Sequence, residues 1–165
     1  HGNDLILRRM KRRHLGRDII RFCNEARRRR SDVAFGADII AGFPTESCSA
    51  HRQTMAMIKD AGISYLHVFP YSPRPSTSAA DMPQLDGAVI KQRAGELREL
   101  GKAQLHQPLE TVIGTTDRML VESGNIGHGR NFAKIRLDQP FVPASTLVDV
   151  KIYQRDQDML LAHAV

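Results

Sequence analysis

Two polar segments follow apolar runs of the sequence and have the residue types of a binding site. The first is ADIIAGFPTES, residues 37–47, in which Asp38 lies in an apolar run and Gly42 and Glu46 follow it. A buried carboxylate needs hydrogen-bond donors or a ligand, and a glycine lets the backbone approach a ligand closely. The pattern predicts either a ligand-facing aspartate or a structural one bonded to backbone donors, and it leaves both open.

The second segment is HVFPYSPRPSTSAADMP, residues 67–83, in which prolines surround Arg74. Proline fixes φ and removes a donor, so the loop stays extended and limits the directions that the arginine can take. A guanidinium restricted in this way suits a carboxylate or a phosphate. The alternative is a rigid connection that carries a solvated arginine.

The other reactive side chains form no recognisable motif. The histidines lack close metal-ligand spacing and the two cysteines, Cys23 and Cys48, are far apart, so no metal site is predicted. We expect Cys23 in the core and Cys48 in a loop without a reactive role. There is no Ser-His-Asp motif and no glycine-rich phosphate loop, so no catalytic residue is identified.

The spacing of apolar residues predicts the elements that carry these segments. Helices are expected over about 3–10, from Gly16 to the Arg27–Arg30 run, and over 49–62, and strands over 33–43 and 64–71. The first strand is interpreted as buried on both faces, and the strand–helix–strand order predicts a parallel βαβ unit. Both polar segments then follow carboxyl ends of strands, where ligands bind in α/β folds.

A change of period marks a second region. A helix from about Ile90 fades by Pro108, and short alternating runs follow at 118–123, 131–137, 146–153 and 158–165. This spacing predicts a small antiparallel, OB-like β-barrel after a boundary near Leu109, so the fold class is α/β followed by a barrel.

One run of this second region is basic. GHGRNFAKIRL, residues 127–137, places Arg130, Lys134 and Arg136 on or beside a strand, together with Asn131 and Phe132. Such a strand suits RNA, through phosphate contacts and base stacking. The alternative is an exposed strand that its charges protect from aggregation.

Composition favours an ordered chain with a polyanionic partner. The 165 residues are 41% apolar, and no apolar run is long enough to span a bilayer. Residues 1–30 carry eleven Lys and Arg against three acidic side chains, whereas the rest carries 13 basic and 15 acidic ones. This asymmetry favours nucleic acid as a partner. The alternative is that the charges only solvate the helix surfaces.

Few cysteines and no visible signal peptide predict the cytoplasm, and the start at His1 predicts a fragment.

Four segments, in this order and spacing, resemble the radical-SAM methylthiotransferases, the MiaB-like enzymes: DLILRRMKRRH, GADIIAGFPTES, HVFPYSPRPSTSAADMP and GHGRNFAKIRL. The third is closest to the MtaB branch, which acts on threonylcarbamoyladenosine beside the tRNA anticodon. The resemblance implies that residues 1–108 are the C-terminal part of a radical-SAM (β/α) barrel and 109–165 a TRAM domain. It implies S-adenosylmethionine (SAM), two [4Fe–4S] clusters, tRNA as partner, and a missing N-terminal half of the same protein.

The resemblance also implies two sets of site residues. The SAM pocket would be lined by Asp38, Ile40, Gly42, Phe43, Pro44, Glu46, Tyr71, Ser72 and Arg74. The RNA-binding set would be Lys11, Arg12, Arg13, Arg130, Asn131, Lys134 and Arg136. Ile40 and Phe43 would lie near the adenine, and Arg12 or Arg13 would meet the SAM carboxylate or an RNA phosphate.

The sequence departs from the family pattern in two respects. The CxxxCxxC motif and the second cysteine set are absent, so this chain should hold neither cluster and should not catalyse alone. Thr45 and Ser76 stand where the family has glycine, which places a Cβ atom at backbone positions that favour glycine.

Three hypotheses remain open from the sequence. The leading one is part of a tRNA methylthiotransferase that forms a 2-methylthio adenosine derivative. The second is a non-catalytic tRNA- or RNA-binding remnant that lacks the iron–sulfur half. The third is an unrelated barrel enzyme that uses Asp38 and Arg74 on a small anion.

Overall fold

A computed structural model describes all residues from 1 to 165, and it divides the chain into two compact units, His1–Gln104 and Leu105–Val165. The boundary predicted near Leu109 lies within the helix that crosses this division. The first unit contains helices α1 (Asp4–Arg9), α2 (Gly16–Arg29) and α3 (Cys48–Ala61), strands β1 (Gly36–Ala41) and β2 (Tyr65–Pro70), and most of helix α4 (Gly87–Thr111).

Strands β1 and β2 and helix α3 form the predicted parallel βαβ unit, which is confirmed. The two strands pair in parallel from Gly36 opposite Tyr65 to Ala41 opposite Pro70. Alternate residues of β1, Ile39 and Ala41, pack in the core of this unit. That core also contains residues of all three longer helices, Cys23 of α2, Met57, Ile58 and Ala61 of α3, and Ala94 and Leu97 of α4.

The prediction that the first strand is buried on both faces is wrong in this structure. Gly36 and Asp38 are exposed and Ile40 is half-buried, whereas Ile39 and Ala41 are buried. The sheet has only two strands, and the helices cover the face that carries the odd-numbered residues of β1. The apolar composition of this segment therefore predicted the burial of one face of the strand correctly and the burial of the other face wrongly.

Local signals explain where α3 begins and ends. The Ser47 hydroxyl accepts a hydrogen bond from the backbone N–H of Ala50 at 3.1 Å, which caps the N-terminus. Gly62 ends the helix in the left-handed conformation, with φ of 57°. The Arg27 guanidinium donates to the carbonyls of Ala61 and Gly62 and lies over the Phe35 ring, so this arginine of α2 holds the end of α3.

Helix α4 is longer than predicted and contains Pro108 in its interior. Proline removes a helical hydrogen bond and was expected to end the helix. Leu105 and Leu109 pack in the core of the second unit, so the helix continues where burial compensates for the lost bond. No helix of the structure has the length and apolar composition needed to cross a membrane.

The second unit contains a closed five-stranded barrel. Its strands are β3 (Thr116–Ser123), β4 (Ile126–His128), β5 (Lys134–Leu137), β6 (Leu147–Asp156) and β7 (Met159–Ala164), in the order β3-β4-β5-β7-β6. The predicted small barrel is confirmed, but it is not fully antiparallel, because β5 pairs with β7 in parallel. The short β4 was not predicted, and the strand expected over 131–137 begins only at Lys134.

Alternating side chains fill this barrel. Met119 and Val121 of β3, Ile135 and Leu137 of β5, and Leu160 and Ala162 of β7 are buried, and the residues between them are more exposed. Gly127 allows β4 to cross close to β3, because a Cβ atom there would lie 1.8 Å from the Leu120 carbonyl oxygen. The alternation therefore places the charged residues of β5, Lys134 and Arg136, on the outer surface.

Candidate functional site

The turn after β1 is the first part of the candidate site. Gly42 adopts φ of 72°, and a Cβ atom there would lie 2.7 Å from the side chain of Ile90. The Glu46 carboxylate accepts a hydrogen bond from the Gly42 N–H at 2.7 Å, which closes the turn. Gly42, Phe43, Pro44 and Glu46 are all buried. The turn is consequently a rigid part of the fold.

Glu46 is held by a cation from helix α4. Its side chain is only 1% exposed, and Arg93 of α4 approaches its Oε2 at 3.2 Å while donating to its carbonyl oxygen at 2.8 Å. The imidazole of His1 meets Oε1 at 3.2 Å. A buried carboxylate is costly unless it is paired and hydrogen-bonded, and here both needs are met inside the protein. Glu46 therefore positions the turn.

A histidine extends this buried network to the protein surface. His51 of α3 places Nδ1 at 3.5 Å from Glu46 Oε1 and donates from Nε2 to Glu96 at 2.8 Å. Hydrogen bonds from Gln92 and then from His51 lower the pKa of Glu96. The sequence interpretation missed His51 and Arg93, although both lie at the helical spacing of buried residues.

Thr45 adopts a backbone conformation that favours glycine. Its φ is 66°, and its hydroxyl bonds to the Pro44 carbonyl and accepts from the Arg9 guanidinium. Its backbone N–H donates to the Pro83 carbonyl at 3.2 Å. These contacts hold a strained residue at the rim of the turn.

The end of β2 packs against the same turn through one residue. The Tyr71 N–H donates to the Ala41 carbonyl at 2.8 Å, and its ring meets Phe43 edge-on with centroids 5.4 Å apart. Ile40 packs in the same small cluster. The Tyr71 hydroxyl is buried and has no hydrogen-bond partner in the structure. An orphaned hydroxyl of this kind marks a place where a polar group fits.

The proline loop beyond Tyr71 extends into solvent. Ser72 and Arg74 are exposed, and the Arg74 guanidinium forms no hydrogen bond or ion pair. The Thr77 hydroxyl donates to the Arg74 carbonyl at 2.8 Å, and Ser76 has φ of 64°. The structure therefore brings Phe43, Tyr71 and Ile40 together and leaves Ser72 and Arg74 apart from them.

The open face of the two-stranded sheet carries four side chains that sequence reasoning treated separately or missed. Asp38 lies opposite His67 and Ile40 opposite Phe69 in the parallel register, all on the face opposite the core that α2, α3 and α4 cover. Asp38 and His67 are exposed, and Phe69 is 52% exposed. Alternation along β2 was the signal that could have placed His67 and Phe69 beside Asp38.

The basic segment between α1 and α2 borders the same region. Lys11, Arg12 and Arg13 are exposed, and their side chains form no ion pairs. Arg12 lines a cavity of about 160 Å³ together with Asp38 and Ile40. Ligand pockets usually enclose roughly 300–1,000 Å³, so this cavity is smaller than a typical ligand pocket.

The predicted RNA-binding residues of the barrel fall into two kinds. Lys134 and Arg136 lie on the outer face of β5, and Arg136 forms an ion pair with Asp156 at 3.3 Å. Arg130 and the half-buried Asn131 lie in the turn between β4 and β5, where Asp117 accepts from Arg130 at 2.8 Å. The basic run is therefore a turn followed by a strand.

The chain offers no cluster-binding set of thiolates. Cys23 is buried in α2, where burial raises the pKa of its thiol. Cys48 is exposed as the first residue of α3 and not in a loop as predicted, because the Ser47 cap begins the helix there. No group of three or more His, Cys, Asp or Glu side chains is placed to hold a metal ion. Iron–sulfur clusters are held by several cysteine thiolates, which these two residues do not supply.

Comparison with known proteins finds tRNA-modifying enzymes. The chain is 47% identical over 138 residues to the threonylcarbamoyladenosine tRNA methylthiotransferase MtaB of Rickettsia prowazekii, covering 84% of this chain and 33% of that protein. It is 32% identical over 157 residues to the tRNA-2-methylthio-N(6)-dimethylallyladenosine synthase of Neorickettsia sennetsu, covering 95% and 33%. The chain spans about a third of the length of these relatives. No protein-family model matches it.

Proposed function

The chain belongs to the radical-SAM methylthiotransferase family, in its MtaB branch, and we propose that it is part of an enzyme that adds a 2-methylthio group to N6-threonylcarbamoyladenosine next to the anticodon of tRNA. The observation that carries this proposal is the 47% identity to MtaB across 84% of the chain. The substrate follows the name of that relative, and the tRNA partner follows both relatives. On this proposal the protein acts in the cytoplasm, where tRNA is modified.

The first unit is proposed to be the C-terminal part of a radical-SAM (β/α) barrel, covering residues 1–108. Its parallel strands, with α2, α3 and α4 packed on one face, support this interpretation. In such a barrel the open face, with Asp38, Ile40, His67 and Phe69, would point to the interior. The closed barrel of the second unit is proposed to be a TRAM domain, covering 109–165.

The residues at the two strand ends suit part of a SAM molecule. Ile40 and Tyr71 pack with the buried Phe43 in an apolar and aromatic cluster, and the buried Tyr71 hydroxyl is a polar group without a hydrogen-bond partner within it. Asp38 and Arg12 add one carboxylate and one guanidinium beside the cavity. When bound, SAM supplies both the radical and the methyl group. Gly42, Pro44 and Glu46 hold this cluster in place, and Ser72 and Arg74 extend beyond it.

The two [4Fe–4S] clusters do not fit this chain. Its two cysteines lie on different helices and provide too few thiolates. We place the cluster ligands in the part of the protein that corresponds to the remaining length of the relatives. The 165 residues alone are therefore expected to be catalytically inactive.

The tRNA is proposed to contact both units. In the first, Lys11, Arg12 and Arg13 are exposed cations without ion pairs. In the second, Lys134 and Arg136 lie outward on β5 beside Arg130 and Asn131. Cations of this kind bind phosphates and make the affinity dependent on salt.

The proposal is tested with the complete gene product, after reconstitution of its clusters. The protein is incubated with SAM, a sulfur source and tRNA that carries threonylcarbamoyladenosine, and the nucleosides are analysed by mass spectrometry. We expect the 2-methylthio derivative of that nucleoside. A matched reaction uses tRNA that carries dimethylallyladenosine. Product only in the matched reaction would overturn the substrate assignment, and no product in either would overturn the proposed activity.

A further inference from the structure

The turn between β4 and β5 presents an aromatic ring to solvent in an unfavourable backbone conformation. Phe132 has φ of 62°, a left-handed value that is rare for a bulky residue, and it is 67% exposed. Burial therefore does not explain why a phenylalanine occupies this position. An exposed aromatic residue held in a strained conformation points to a role in binding.

The ring of Phe132 is part of a rigid pair. It stacks on the imidazole of His128, with centroids 4.6 Å apart and planes inclined by 18°. The Glu122 carboxylate accepts a hydrogen bond from His128 Nδ1 at 2.9 Å and fixes the orientation of the imidazole. The two rings lie face to face, and the exposed Phe132 ring is therefore a flat platform that exists before any ligand binds.

The turn that carries the platform is also held in place. The Phe132 N–H donates to the Gly129 carbonyl at 3.0 Å, and the Gly129 N–H donates to the Ala133 carbonyl at 2.9 Å. Asp117 accepts hydrogen bonds from both the backbone and the side chain of Arg130. These hydrogen bonds together hold the strained backbone in place. Little conformational freedom is therefore lost when a ligand stacks on the Phe132 ring.

Cations flank the platform. Lys134 lies opposite His128 in the antiparallel register of β4 and β5, and it forms no ion pair. Arg130 precedes Phe132 in the same turn, and its side chain remains 67% exposed while it is bonded to Asp117. A planar surface with positive charge beside it matches a nucleotide, which has a planar base and a phosphate.

We propose that the His128–Phe132 pair is a stacking site for one unpaired base of RNA, with Lys134 on the adjoining phosphate. The inference rests on the proposed function for the presence of tRNA and specifies which surface binds it and by what contact. Stacking tolerates any base, because every base has a π-face. The site therefore contributes affinity and orientation without reading sequence.

The test uses the intact protein and an anticodon stem-loop RNA with 2-aminopurine at one loop position, in a series that covers each position. Four variants are compared: Phe132→Tyr, Phe132→Leu, Phe132→Gly and, as a control, Phe141→Ala, which removes a ring that is 78% exposed elsewhere in the same unit. Affinity is measured by fluorescence anisotropy, stacking by quenching of 2-aminopurine, and folding by thermal unfolding.

We expect Phe132→Tyr and Phe141→Ala to bind like the wild type. Phe132→Leu keeps apolar bulk but lacks a ring, so its affinity should fall by about 5- to 150-fold and the quenching at one loop position should disappear. Phe132→Gly should lose affinity similarly while its melting temperature stays equal or rises, because glycine accepts the left-handed conformation.

The outcomes separate this inference from the proposed function. Wild-type protein that binds the RNA, with Phe132→Leu and Phe132→Gly binding equally well, would overturn the stacking site alone. Wild-type protein that does not bind the RNA would overturn the tRNA partner and the stacking site together. Loss of binding in Phe132→Tyr as well as in Phe132→Leu would also overturn stacking as the contact, since the ring is retained in the former.

Discussion

At the scale of single residues, charge burial determines what the strand-end carboxylates do. Asp38 is exposed on the open face of β1, whereas the carboxylate of Glu46 is enclosed by Arg93, His1 and the Gly42 N–H. The first is available to a ligand and the second is not. Glu46 therefore acts on the site only through the turn that it closes.

Removal of the cation beside Glu46 should be strongly destabilising. Arg93→Met leaves a carboxylate buried beside an apolar side chain, and breaking a buried ion pair costs about 3–5 kcal/mol. Arg93→Lys should lose less, because it keeps the charge. Arg98→Met, on the same helix at an exposed position, is the matched control. Free energies of unfolding from urea titrations check the expectation, which equal losses at the two sites would contradict.

Ser76 is strained and should be improved by glycine. A left-handed conformation costs an L-residue roughly 1–2 kcal/mol, and Ser76 makes no compensating side-chain hydrogen bond. Ser76→Gly should therefore raise the free energy of unfolding by about 1 kcal/mol. Ser78→Gly, in the same exposed loop but without a positive φ, should give no gain. A shift of thermal midpoint in the opposite order would show that the loop relaxes its strain by other means.

The role of a residue could be predicted where it depends on the local backbone, and could not where it depends on a partner distant in the chain. The resemblance to the family implied that Thr45 and Ser76 occupy glycine-favouring positions, and both have positive φ. It did not identify Arg93 or His51 as partners of Glu46. The role of a charged residue on an apolar helix face is set by its partner. Arg93 lies on α4, and its partner Glu46 lies in the turn after β1, so no local pattern links them.

At the scale of elements, a side-chain contact between α3 and α4 depends on pH. His51 of α3 donates to Glu96 of α4 at 2.8 Å. Hydrogen bonds from Gln92 and His51 hold the pKa of Glu96 below its ordinary value of 4.5. The unfolded chain therefore binds a proton at Glu96 more readily than the folded protein does.

The sign of this pH effect follows from the lowered pKa. Its stabilising contribution is fully present above the unfolded pKa near 4.5 and is lost as the pH falls through the lower folded value. Glu96→Gln should make the loss of stability between about pH 5 and pH 3 less steep. Glu99→Gln, which alters an exposed pair with Lys102, is the control. Denaturant unfolding at several pH values would refute the coupling if both variants kept the wild-type slope.

The elements were predictable where a period extended over several turns or strands. The βαβ unit follows from strong periodicity, and its parallel pairing was confirmed. Strand β4 has three residues, too few to show alternation. The parallel pairing of β5 with β7 depends on strand order in a closed barrel, which no local pattern contains. The continuation of α4 through Pro108 depends on the burial of Leu109, a tertiary effect.

At the scale of the whole molecule, some of the cations of residues 1–30 are bound within the protein and others are available to a ligand. Arg21, Arg28, Arg29 and Arg30 form ion pairs with nearby acidic residues, and Arg27 holds the end of α3. Lys11, Arg12 and Arg13 form none. The count of charges in the sequence therefore overstates the charge available to tRNA.

This difference between paired and unpaired arginines predicts that two variants with the same loss of charge will differ in tRNA binding. The double variant Arg12→Ala/Arg13→Ala should weaken tRNA binding and make the slope of log affinity against log salt shallower by about 1–2. Arg28→Ala/Arg29→Ala removes the same charge but acts on residues paired with Glu25, so its effect should be smaller. Filter binding at several salt concentrations measures both slopes, and a larger change in the second variant would contradict the assignment.

The position of α4 affects how a protease would cut the protein. The division between Gln104 and Leu105 falls inside a continuous helix, whose hydrogen-bonded backbone is a poor protease substrate. The exposed segment 72–78 lies within the first unit and is the more open target. Limited digestion with a protease of broad specificity should therefore cut inside the first unit and leave the second attached to α4. Fragment sizes from such a digest would not reveal where one unit ends and the next begins.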